Sequence, residues 1–175
     1  MRLLDLVFGG LQARLVRWRT LSGTSPNMEQ VIGNIWVGGA NSSELIVNRG
    51  FNAVLDLREE DSQDYRSFLQ EHNIDYLNIK IPDRHGASAE DLSKIVEWLE
   101  EKDKKGDKVL VHCNLGRGRA ALVVAAYMVH EGATPDEAVR KIKEKRQVTY
   151  LNSRQLQALS EFAKINSTFR NLQKT

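Results

Sequence analysis

Lys108-Val109-Leu110-Val111-His112-Cys113-Asn114-Leu115-Gly116-Arg117-Gly118-Arg119 is the stretch whose reading decides the fold. Its first five residues hold an apolar run of strand length, which predicts a buried central strand over Lys108 to His112. Beyond Arg119, Ala120 to Glu131 carries Leu122, Val123, Ala126 and Met128 and is almost wholly apolar, so it predicts a helix sandwiched in the core and stopped by Gly132. The loop between them suits an oxyanion. A chain leaving a buried strand and entering a helix can curl its backbone N–H groups inward, while the helix N-terminus adds partial positive charge. Gly116 and Gly118 permit close approach. The same field favours a thiolate at Cys113, hence a nucleophile. Arg119 can clamp two oxygens of one phosphoryl group. A free cysteine is often only a buried apolar thiol, but packing alone does not call for strand, cysteine, glycine loop, arginine and helix in succession.

Outward from this stretch, strand and helix signals alternate. Val31-Ile32 and Ile35-Trp36-Val37 flank Gly33-Asn34 and predict a hairpin. A helix over Glu44 to Arg49 ends at Gly50, and strands over Ala53 to Leu57 and Tyr76 to Ile81 enclose a helix over Tyr65 to Glu71. Ser88 with Asp91 reads as a capping box opening Ala89 to Lys102. Thr134-Pro135-Asp136-Glu137 has an N-cap, Pro at the first helical position and Glu three after the cap, so another helix starts there. A last helix spans Ser153 to Lys164. The pattern predicts an α/β fold with a mostly parallel central sheet flanked by helices, and the cysteine loop between a central strand and a buried helix.

The chain has 175 residues, 41% hydrophobic and 27% charged, which fits one domain of ordinary size. Lys and Arg number 25 against 23 Asp and Glu, a balance too even to indicate nucleic-acid binding. The single cysteine excludes an intrachain disulfide and a zinc site built on several thiolates. Residues 1–27 read as an amphipathic helix with a Ser/Thr/Gly/Pro-bearing linker, 28–168 as the folded domain and 169–175 as a tail. The helix, Met1 to Arg19, sets Leu3, Val7, Leu11 and Leu15 against Arg2, Arg14, Arg17 and Arg19. It suits docking on its own domain or peripheral contact with an anionic membrane surface. With no transmembrane run or secretory signal in the sequence, the expectation is a cytoplasmic monomer.

His112-Cys113-Asn114-Leu115-Gly116-Arg117-Gly118-Arg119 resembles the H-C-x5-R motif of cysteine-dependent phosphatases, specifically the compact dual-specificity class. The resemblance runs from about Val31 to Phe162 and includes IPDRHGAS from Ile81, TPDEAVRKIKEKR from Thr134 and YLNSRQLQALSEF from Tyr150. Small archaeal and atypical dual-specificity enzymes share the IPD loop. Mitochondrial-type phosphatidylglycerophosphate phosphatases are similar in the buried helix and the C-terminal stretches. The resemblance implies attack by Cys113 on phosphorus, with Asn114, Leu115, Gly116, Arg117, Gly118 and Arg119 binding the phosphate. It further implies Asp83 as general acid, Gln155 as the residue that positions the hydrolytic water, and His112 as a brace for loop and thiolate. Asp61 and Asp64 are alternatives for the acid, and a solvated place at the helix start is the alternative for Gln155. No metal or cofactor is implied.

Two positions depart from the family pattern. Ala120 stands where most relatives carry Ser or Thr, whose hydroxyl supports the departing thiolate; the phosphatases of regenerating liver share the alanine. Arg117 stands where many protein phosphatases are neutral. With Arg84 and Arg154 it could make the mouth basic and suited to substrates with additional phosphate. The leading expectation is hydrolysis of phosphomonoesters through a cysteinyl-phosphate, on phosphotyrosine in proteins first and phosphoserine or phosphothreonine second. The alternatives are an anionic phospholipid or inositol phosphate as substrate, phosphatidylglycerophosphate among them, and a weakly active phosphate-binding module.

Overall fold

The computed structural model describes residues 26–172, so the expected N-terminal helix, most of its linker and the last three residues lie outside the described residues. Five strands, β1 (Met28–Ile32), β2 (Ile35–Gly38), β3 (Ala53–Asp56), β4 (Asp75–Asn78) and β5 (Val109–His112), form one sheet in the order β1-β2-β5-β3-β4. Only the β1–β2 hairpin is antiparallel; β5 pairs in parallel with β2 and β3, and β3 with β4. The helices are α1 (Ser43–Asn48), α2 (Gln63–Glu71), α3 (Ala89–Lys105), α4 (Arg119–His130), α5 (Pro135–Lys145) and α6 (Ser153–Leu172).

Alternation along the strands assigns each residue to one of two cores. Val109 and Val111 of β5, with Ala53 and Leu55 of β3, face a large core built with α3 to α6. Leu110 and Val54 face a smaller one, where Ile46 of α1 and Leu69 of α2 pack. From Arg119 to Val129 every residue of α4 is buried, because α4 lies against the sheet with α3, α5 and α6 around it. That is why its sequence has no polar face.

The predicted elements form, with three differences. The strand expected to reach Ile81 ends at Asn78. Beyond it Ile79 and Ile81 N–H still donate to Asp56 O and Leu57 O at 3.0 and 3.4 Å, and Arg119 Nη1 donates to the carbonyls of Leu57 and Ile81 at 3.2 and 2.9 Å. Ser88 caps α3 by accepting from Asp91 N–H at 3.0 Å, but the Asp91 carboxylate accepts from the Ser88 hydroxyl at 2.7 Å. Aspartate is one methylene shorter than the glutamate of a full box, and Thr134 with Glu137 completes both halves. Finally, α6 runs eight residues past Lys164, since no Gly or Pro interrupts it and Asn166 anchors it through His130 Nδ1 at 3.1 Å.

Candidate active site

The loop after β5 is stitched to the turn after β2. Cys113 N–H donates to Gly38 O at 3.3 Å, and Ala40 N–H to Asn114 O at 3.0 Å. The chain then curls so that Gly116 N–H points back to Cys113 Sγ at 3.3 Å. Gly116 has φ +65, and a Cβ there would lie 2.3 Å from the Gly38 carbonyl carbon, so only glycine fits. Gly118 caps α4 without a side-chain bond, leaving the first-turn N–H groups turned to the loop. Cys113 is therefore buried, with the Gly116 N–H turned to its sulfur.

Arg119 is 2% exposed, and its Nη2 meets Asp83 Oδ1 at 3.0 Å, while Asp83 is 67% exposed. Three backbone and carboxylate bonds thus fix the guanidinium between the end of β3, the segment at Ile81 and the cysteine loop. Of the three candidate carboxylates, Asp83 is the one that pairs with Arg119. Asp61 pairs with Arg66 and Asp64 sits in the first turn of α2. Sequence reading missed Glu59, whose carboxylate accepts from Asp83 N–H at 3.3 Å.

Gln155 is not a solvated helix-start residue but is 2% exposed. Its Oε1 accepts from Asn152 N–H at 3.1 Å, while Gln155 N–H donates to Asn152 Oδ1 at 3.0 Å, a reciprocal cap for α6. Its amide reaches both the acid loop, with Nε2 3.4 Å from His85 O, and the cysteine loop, where a Cβ on Gly118 would lie 2.8 Å away. Arg117 is half-buried, with Nε donating to Val148 O at 3.1 Å. Arg84 is exposed at φ +61, its carbonyl held by Asn152 Nδ2 at 2.9 Å, and Arg154 Nη1 lies 3.3 Å from His85 Nε2.

His112 ends β5. It shares the parity of Leu110, so its ring enters the α2 side of the sheet while Cys113 emerges on the other. There Nε2 meets the Tyr65 hydroxyl at 3.2 Å and Asp56 Oδ2 at 3.8 Å, and Nδ1 has no hydrogen-bond partner. The ring braces the strand to α2. Burial, aided by Arg58 and opposed by Asp56, pushes its pKa down to about 4, so it is neutral at neutral pH. Burial also works to raise Asp56, but the charge of His112 when protonated and the forked bonds and charge of Arg58 hold it below the usual carboxylate range. Burial, then the Asp56 charge, raises both Tyr65 and Tyr76.

A further residue escaped the sequence reading. Arg146, 1% exposed at the end of α5, donates through Nε to Gly116 O at 2.7 Å and through Nη2 to Leu115 O at 3.1 Å. Its signal was present: Arg146 continues the buried stripe of Ala138 and Ile142 at i+4 spacing, where a cation has no reason to sit unless partnered. Among the described residues, Glu100, His130 and Glu131 bring possible metal-ligand atoms within 4.8 Å of one another. They lie at the far end of α4, about 17 Å along the helix from Arg119, and take no part in this site.

This geometry can bind a tetrahedral dianion, attack it with sulfur and hand a proton to its leaving group. Human phosphatidylglycerophosphatase and protein-tyrosine phosphatase 1 is 30% identical over 132 residues, 69% of this chain and 63% of that protein. The chain thus spans under two thirds of that relative's length. Tk-PTP in its active form superposes with a TM-score of 0.73 at 27% identity, over 79% of this chain and 97% of that one. PTPMT1 shares the fold, with a TM-score of 0.74 at 22% identity over 82% and 98%. The dual specificity phosphatase catalytic domain matches residues 35–165, and this chain belongs to that family of phosphatases.

Proposed function

We propose that this chain dephosphorylates proteins, phosphotyrosine foremost, through a cysteinyl-phosphate at Cys113. The observation that carries the reading is one loop with Cys113 at one end, its Sγ 3.3 Å from Gly116 N–H, and Arg119 at the other, its Nη2 3.0 Å from Asp83 Oδ1. Substrate phosphate takes the Arg119 Nη2 contact that Asp83 holds in its absence. The Cys113 thiolate forms the S–P bond as the P–O bond to the alcohol breaks, and Asp83 gives its proton to the departing oxygen. The Asp83 carboxylate then takes a proton from water, whose oxygen attacks phosphorus and expels the thiolate. Gln155 orients that water in this reading, which its place between the acid and cysteine loops supports.

A second reading, hydrolysis of a lipid or inositol phosphate, has its own support. Arg84 and Arg154 stand on the segments flanking Asp83 and Gln155, and Arg117 lies within the loop. The human relative's name joins phosphatidylglycerophosphatase to protein-tyrosine phosphatase. Residues 1–19 would supply the membrane contact in this reading.

Phosphate release from a phosphotyrosine peptide and from phosphatidylglycerophosphate in detergent, each against Cys113→Ser as blank, separates the readings. Faster peptide turnover is the expected result. Faster lipid turnover transfers the assignment to the second reading, and none above blank from either leaves the site as a binding module.

A further inference from the structure

Arg146 does more than fill the core. A peptide unit is planar and, throughout the described residues, trans, so its carbonyl and its N–H point to opposite sides. The unit whose carbonyl belongs to Leu115 carries the N–H of Gly116, and the unit whose carbonyl belongs to Gly116 carries the N–H of Arg117. Arg146 holds both carbonyls, with Nη2 on the first at 3.1 Å and Nε on the second at 2.7 Å. Both N–H groups must therefore face away from Arg146. Gly116 N–H shows that this is the side of Cys113, since it lies 3.3 Å from Sγ.

The guanidinium is itself immobilised. Nη2 also donates to Asn27 Oδ1 at 2.6 Å, and Nη1 pairs with the Glu29 carboxylate of β1. Asn27 is tied in turn to the turn under the loop, where Gly39 N–H donates to Asn27 O at 2.9 Å and Asn41 Oδ1 accepts from Asn27 N–H at 3.0 Å. A planar fork fits two successive carbonyls, whereas the point charge of a lysine would serve one.

We propose that Arg146 is a positioning residue for phosphoryl binding, fixing the Gly116 and Arg117 N–H groups toward the transferring phosphate before substrate arrives. Its meaning for catalysis rests on the phosphatase reading, but the orientation it imposes can be read with an inert oxyanion. Preorganised donors act because they need no reorientation in the transition state.

The test is a tungstate titration of 15N-labelled protein, wild type and Arg146→Lys, following the amides from Gly116 to Arg119 and, in parallel, kcat/KM for an aryl phosphate. All four amides are expected to shift in the wild type. In Arg146→Lys the shifts of Gly116 and Arg117 should fall by more than about half while those of Gly118 and Arg119 persist, with tungstate affinity and kcat/KM each down about tenfold. Equal shifts in both proteins overturn the inference, as does a uniform loss across the four amides, which marks a merely structural residue. A wild type unmoved by tungstate overturns it outright. Should Arg146→Lys fail to fold, Glu29→Ala at a half-exposed strand position removes the acceptor of Nη1 and should weaken the same two amide shifts selectively; no selective change overturns the proposal. Tungstate shifts in a wild type that hydrolyses nothing would sink the phosphatase reading and leave the positioning role standing.

Discussion

Ala120 is fully buried one residue past Arg119, at the start of α4. Gly116 N–H is the donor that meets Cys113 Sγ, and no hydroxyl side chain is available at position 120 to support that sulfur when it leaves phosphorus. A hydrogen bond to a charged partner contributes roughly 1–3 kcal/mol. Ala120→Ser should therefore accelerate phosphoenzyme breakdown by about tenfold, with little change in the preceding step, when the two are resolved by rapid-quench single turnovers. Equal breakdown rates would set the hydroxyl argument aside. Asp83 makes a complementary case. Asp83→Asn should cost about 100-fold or more in kcat with an alkyl phosphate, whose leaving group needs a proton, and much less with a good aryl leaving group. A loss independent of leaving group would remove Asp83 as the acid. Cys113 and Arg119 stood out in the sequence through the strand, glycine loop and helix around them, and Asp83 through the resemblance of its IPD segment. Arg146 and Glu59 did not, because they act on backbone atoms of segments distant in sequence, and only the folded chain shows which carbonyl or N–H they face.

At the scale of elements, the start of α6 ties the two active loops together. Asn152 and Gln155 cap each other, while Asn152 Nδ2 holds Arg84 O beside Asp83. Asn152→Ala removes the cap and the loop contact together and should lower stability by about 1 kcal/mol and kcat with it. Asn152→Ser restores the cap oxygen but not the Nδ2 donor, so it should recover most of the melting temperature and little of kcat. Parallel recovery of both would show that α6 acts on the site through stability alone. Local capping patterns such as Thr134 to Glu137 could be read in sequence because their partners are three residues apart. The hold of Arg119 on the Ile81 carbonyl could not, because the two lie 38 residues apart. Nor could the length of α6, where tertiary anchoring by His130 extends a helix whose apolar spacing is weak beyond Lys164.

At the scale of the whole molecule, the sheet separates chemistry on one side from a buried polar cluster on the other. Asp56 and His112 end neighbouring parallel strands in register, and both turn toward α2, where Arg58, Tyr65 and Tyr76 close around them. His112 is fully buried, and its folded pKa of about 4 lies below the ordinary value of 6.5. Between those values the unfolded chain binds a proton that the folded chain refuses, so stability is complete above about pH 6.5 and falls as pH drops toward about 4. One pKa unit corresponds to about 1.4 kcal/mol, so the fall between about pH 7 and about pH 5 should reach about 2 kcal/mol from this ring alone. Asp56 adds to the acid loss only lower, as pH drops through its depressed carboxyl range. Urea unfolding of the wild type and His112→Asn at the two pH values isolates the ring. Asparagine keeps a polar group near the Tyr65 hydroxyl but cannot titrate, so the variant should be less stable at about pH 7 and lose less on acidification. Identical pH slopes for the two proteins would mean that the ring takes up its proton alike in the folded and the unfolded chain, and would remove the argument.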